Sequence, residues 1–144
     1  MTYGTRLIEV TKEGDEYKVA EKWTSKDLKP YFNDLVQLGD YLYGFDNDIF
    51  VCIDLATGKK KWKKGRYGHG QALLIDDQGQ MLVISDKGEA VLTEVSPDGI
   101  QERGKFQAIK GKTWNHPVIA HGKLLIRNGE EMACFEIGPA AQLQ

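Results

Sequence analysis

One property limits this chain more than any other: it repeats. Leu42 in "DYLYGF", Leu82 in "QMLVIS" and Leu124 in "GKLLIR" recur at steps of 40 and 42 residues. The next apolar run keeps the same steps, as "VCIDL" (51–55), "VLTEV" (91–95) and "ACFEI" (133–137). An earlier copy is "RLIEV" (6–10), and each copy carries an acid followed by an apolar residue: Glu9-Val10, Asp54-Leu55, Glu94-Val95, Glu136-Ile137. A unit of this size buries its apolar face only by stacking on a neighbour, so the period dictates a row of equivalent units.

The units are built of strands. Helical periodicity is nearly absent, and short runs of Val, Ile, Leu, Tyr and Phe end at Gly, Asp or Asn. "DLVQLGDYLYGF" reads as strand, tight turn at Gly39-Asp40, strand, and "DIFVCIDLATGKKKWKK" as strand, turn at Thr57-Gly58, strand. The expected fold is all-β. A period near 40 with four antiparallel strands per unit, named A to D from the axis outward, is the signature of a propeller blade.

"DLVQL", "YLYGF", "IFVCIDL" and "KKKWKK" supply A to D of one unit, and "QALLI", "QMLVIS", "AVLTEV" and "IQERGKF" supply the next. "PVIAH", "KLLIR" and "EMACFEI" give A to C of a third, while the N-terminal stretch gives only C ("RLIEV") and D ("YKVAEKWT") of another. The expected organisation is one partial propeller over residues 1–138, with units at about 5–26, 33–64, 69–107 and 115–137 and a tail at 139–144. Two full and two incomplete units do not close a ring. The expectation is self-association, or a longer propeller of which this is a part.

Composition excludes several functions. The net charge of −2 argues against a nucleic-acid partner. No apolar run approaches the roughly 20 residues of a membrane helix. Cys52 and Cys134 are too few and too distant for a disulfide framework. The repeat makes them equivalent to Leu92, so both are expected to be buried packing residues.

"IDLATGKKKWKKG" carries a more specific signal. It resembles the blade signature of the PQQ-like (quinoprotein-type) β-propellers, in which a strand ending in an acid precedes a Thr-Gly turn and a strand bearing Trp. The resemblance assigns Asp54, Thr57, Gly58 and Trp62, and places Trp23 of "AEKWTS" in the same slot. It implies that these tryptophans pack between adjacent blades. The third copy departs, with Phe106 where a Trp is expected. The family includes quinone-dependent dehydrogenases and non-enzymatic scaffold members. The dehydrogenases share a vicinal cysteine pair and calcium ligands, and no stretch of this chain matches either. The expectation is therefore no cofactor, no metal ligand and no catalytic residue. Family resemblance favours a periplasmic or other extracytoplasmic bacterial location.

Lys59, Lys60, Lys61, Lys63, Lys64 and Arg66 surround Trp62. Strand alternation sends neighbours to opposite faces, so they read as protection of an exposed edge rather than one basic patch. The D-to-A connections "PYFND", "GRYGHGQ" and "KTWNHP" are better functional candidates. Each precedes an inner strand, so all belong on one rim near the axis. Asn33, Asp34, Arg66, Tyr67, His69, Trp114, Asn115 and His116 are the candidate rim residues. "GRYGHG" leads into a strand, which excludes a phosphate loop at a helix N-terminus. The expected function is a non-enzymatic scaffold that presents these loops to a protein or peptide partner. The alternatives are a fragment of a quinone- or metal-dependent oxidoreductase with His69 and His116 in an axial site, and a small-molecule or glycan site at Tyr67 and Trp114.

Overall fold

A computed structural model of the chain describes residues 4–76 and 78–138. The expected tail at 139–144 lies outside the described residues. The all-β expectation holds: thirteen strands and no helix occur among the described residues. No helix there is long and apolar enough to cross a membrane.

The strands form four antiparallel sheets in chain order. β1 (Thr5–Glu13) pairs with β2 (Glu16–Ser25). β3 (Val36–Leu38), β4 (Tyr41–Asp46), β5 (Ile49–Asp54) and β6 (Lys60–Arg66) make a four-stranded meander. β7 (Gln71–Leu74), β8 (Gln80–Ile84), β9 (Glu89–Ser96) and β10 (Gly99–Gln107) make a second. β11 (Val118–Ala120), β12 (Lys123–Arg127) and β13 (Met132–Glu136) make a three-stranded sheet. Each strand matches one read from the repeat, within one to three residues at its ends.

The sheets stack face to face. Tyr43, Phe45, Phe50, Cys52 and Trp62 of the first four-stranded sheet pack against Met81, Val83, Val91 and Val95 of the next. The other face of that next sheet, with Leu82, Ile84 and Ala90, packs against Leu124 and Ile126. Leu28, Val51 and Ile53 form a third core with the half-buried Trp23, Leu35 and Leu42. Middle strands are therefore covered on both sides, which is why "FVCI" and "MLVI" are unbroken apolar runs instead of alternating ones. Equivalent strands lie side by side: β3 approaches β7, and β6 approaches β10.

Two tryptophans join neighbouring sheets in the same way. Trp62, 6% exposed, donates its indole N–H to Ser96 O of the next sheet at 2.8 Å. Trp23 donates to Leu55 O of its next sheet at 2.9 Å and lies on the Thr57-Gly58 turn. In that turn the Asp54 carboxylate accepts from Thr57 N–H at 2.8 Å and Thr57 Oγ1 at 2.7 Å. Phe106, in the third copy, meets Phe135 with ring centres 5.1 Å apart.

The repeated acids take different partners. Glu9 pairs with Lys22 at 2.7 Å, Glu136 with Lys123 at 2.9 Å, and Glu94 with Arg103. In β6 Trp62 is buried and Lys60, Lys61 and Lys64 are exposed, so burial does not alternate strictly along the strand, whose pairing with β5 shifts register beside Cys52. Lys63 instead reaches back to the buried Asp46, which also holds Lys29 at 3.3 Å. Burial pushes the Asp46 carboxyl up, but the Lys63 and Lys29 hydrogen bonds outweigh it and leave it below the usual range.

The reading of both cysteines as buried is corrected. Cys52 is fully buried, and burial raises its thiol to about 11. Cys134 is exposed. The two occupy equivalent positions, but Cys52 faces the next sheet and packs with Met81, Val83 and Val91, whereas on β13 Ala133 and Phe135 face the neighbouring sheet and, among the described residues, no sheet covers the side of Cys134. Met132 is left 69% exposed for the same reason.

Candidate functional site

The antiparallel order puts all the D-to-A connections on one rim. They are residues 26–35, 67–70 and 108–117. Each is tied to the next by a buried side-chain amide. Asn33, 6% exposed, donates Nδ2–H to Gly70 O, and its Oδ1 accepts from Tyr31 N–H at 3.3 Å. Gln71, at the start of β7, donates Nε2–H to Trp114 O at 2.9 Å. Its Oε1 is buried with no hydrogen-bond partner.

These anchors bring four rings together from three connections. Tyr31 and His69 have ring centres 4.9 Å apart, and Phe32 and Trp114 4.6 Å. Phe32 stacks on His69 at 6.3 Å, and His69 and Trp114 are 6.4 Å apart. Tyr31, Phe32 and Trp114 remain 46%, 38% and 37% exposed. An aromatic ring left this exposed beside others is unusual on a surface away from a binding site. The Lys112 ammonium lies over the Trp114 face, 3.3 Å from the ring centre. His116 Nε2 is 3.2 Å from the Asp34 carboxylate, and this exposed contact also joins two connections.

The predicted residues divide into three groups. Asn33, Asp34, His69, Trp114 and His116 come together as expected. Asn115 is half-buried and lines a neighbouring cleft of about 330 Å³ with Lys112, Trp114 and Glu130. Arg66 and Tyr67 do not join the cluster. Arg66 is drawn to Asp48 at 2.6 Å, on the wall of a polar cleft of about 570 Å³ that His69 also borders. Tyr67 turns into the core between sheets, where its hydroxyl donates to Glu102 Oε1 at 2.9 Å. Gly65, within β6 at φ +79°, makes room for it: a Cβ there would lie 2.6 Å from Cε2 of the Tyr67 ring. Burial first, and then the Glu102 hydrogen bond, raise the Tyr67 hydroxyl, so it keeps its proton and offers no base.

Tyr31, Phe32 and Lys112 belong to the cluster but were not among the predicted residues. Their only signal in the sequence was their place in the connections "PYFND" and "KTWNHP". No group of three or more His, Cys, Asp or Glu among the described residues is placed to hold a metal ion. What the arrangement offers is a half-exposed aromatic surface edged by charge, on one rim of a stacked-sheet frame. Compared with known proteins, the chain matches no family model and no curated protein.

Proposed function

We propose that the chain is part of a β-propeller, its four sheets acting as blades, and that it is a non-enzymatic scaffold whose rim docks a protein or peptide. The convergence of Tyr31, Phe32, His69 and Trp114 carries this reading. Rings from three separate connections meet, held from below by Asn33 and Gln71, yet stay partly open to solvent. A folding core would bury them. Preorganised aromatic side chains lose little entropy on binding and supply most of the energy at protein interfaces.

The face-to-face stacking in chain order supports the blade assignment, as do the two forward-bonding tryptophans. Among the described residues no strand pairs with the outer edges of β1 and β13, and on this reading further strands, from a second copy or from more of the same propeller, close them.

The test is peptide-phage selection on the wild-type chain, with counter-selection on a Tyr31→Ala, Phe32→Ala, Trp114→Ala variant. Peptides that bind only the wild type are expected. Selection that yields no binders, or binders indifferent to the three substitutions, refutes the reading.

A further inference from the structure

Trp23, Trp62 and Gly104 stand at one position of the repeat. In each outer strand the pairing slips at the same place, leaving Lys22, Lys61 and Arg103 out of the register. The residue after each slip lies opposite Leu7, Cys52 and Leu92, which the repeat makes equivalent. That residue is Trp23, then Trp62, then Gly104. Phe106, expected from the sequence to take the third tryptophan's place, lies opposite Ala90 instead.

Neither backbone nor space requires glycine there. The φ of Gly104 is not positive, and no described atom lies within 4 Å of a Cβ built on it. The slip does not demand glycine either, since the other two carry tryptophan. A glycine inside a strand costs stability and often marks a place where a ligand approaches closely.

The space beside Gly104 is a cleft of about 640 Å³ between the second four-stranded sheet and the three-stranded one. Leu82 and Leu92 line it from one sheet, Ile119 and Leu124 from the other. Cys52, opposite Trp62, is fully buried, whereas Leu92 is only half-buried. Ile75 and Phe106 border the same cleft and remain 41% and 44% exposed.

The acceptor end of the slot is kept. Trp23 donates to Leu55 O and Trp62 to Ser96 O, the first and second residues after the repeated acid. Their counterparts after Glu136 are Ile137 and Gly138, and both line the cleft. We infer that the cleft binds a free, planar aromatic molecule of the indole type. Its ring takes the slot that tryptophan fills in the two other gaps between sheets, and its N–H donates to Ile137 O or Gly138 O. The volume is that of a pocket for a whole small molecule, and apolar cavities of this kind accept aromatic ligands. None of the lining residues lies in the three rim connections, so this site stands apart from the docking surface.

The test titrates the full chain with indole and with 1-methylindole, which keeps the ring and lacks the N–H. Calorimetry reads the affinities, and amide shifts in the nitrogen-15-labelled chain locate the site. Indole is expected to bind about three- to tenfold tighter than 1-methylindole, with shifts at Leu92, Gly104, Ile137 and Gly138. Gly104→Trp restores the repeat, and is expected to raise the melting temperature and abolish indole binding. Gly104→Leu, a smaller filling, should weaken binding several-fold, and melting curves confirm that both variants fold. A short peptide with one tryptophan among glycines and serines is expected to bind more weakly than indole. No binding up to the solubility of indole, equal binding of the two ligands, or indole binding unchanged in the folded variants would each overturn the proposal. The tryptophan peptide bound tighter than indole would overturn it in favour of a partner's side chain.

Discussion

Gly58 sits where two constraints meet, and replacing it separates them. Its φ is +69°, a backbone region that costs an L-residue about 1–2 kcal/mol. A Cβ there would also lie 2.7 Å from Cε3 of Trp23, inside the contact distance of real atoms. The ring has to move, and its indole N–H then loses the 2.9 Å bond to Leu55 O, worth about 0.5–1.5 kcal/mol. Gly58→Ala is therefore expected to destabilise by about 2–4 kcal/mol in total. Gly39 is the internal control. It has φ +57° but nothing within 4 Å of an added Cβ, so Gly39→Ala should cost only the backbone part, about 1–2 kcal/mol. In a Trp23→Ala background the Gly58→Ala cost should drop to the Gly39 value, a coupling of about 1–2 kcal/mol. Urea unfolding at one fixed protein concentration measures all of these. Equal costs at Gly58 and Gly39, or no coupling to Trp23, would show that the tryptophan does not clamp the turn of the next sheet.

Two further outcomes follow from the buried groups. The Asp46 carboxyl is held below its ordinary value, so its contribution to stability is present above the unfolded value of about 4 and is lost as pH falls through the folded one. Unfolding titrations at pH 7 and pH 3 should show a smaller pH-dependent loss in Asp46→Asn than in the wild type, and an identical slope would refute the pairing with Lys63 and Lys29. In Ellman titration of the native chain near pH 8, Cys134 should react promptly and Cys52 only after unfolding, because Cys52 is buried with its thiol raised to about 11. Two fast thiols would place Cys52 outside the core.

Much of the frame was legible along the chain. Strand positions followed from apolar runs and turn residues, because a strand's pairing partner here is its neighbour in sequence and a short turn fixes the register. The role of Trp62 was legible for a related reason: it recurs at Trp23 in the same relation to an acid and a turn. The site was legible only in part. The three connections on one rim follow from the meander, and with them Asn33, Asp34, His69, Trp114 and His116. Tyr67 was misplaced because its ring packs over Gly65 into the core between two sheets, a tertiary contact that its place in a connection does not show. Cys134 was misplaced because burial at an equivalent position depends on whether another sheet covers that face.

The sequence by itself determined the all-β class, the four-part division and the order of strands within each part. Those are local properties, set by period, turn chemistry and pairing between adjacent segments. Only the tertiary structure decided which rings meet. Tyr31, Phe32, His69 and Trp114 lie up to 83 residues apart in the chain and touch because Asn33 and Gln71 pin successive connections together. Whether a side chain at a loop is exposed, stacked or drawn beneath the surface depends on backbone handedness and neighbours from other sheets, which no local pattern encodes.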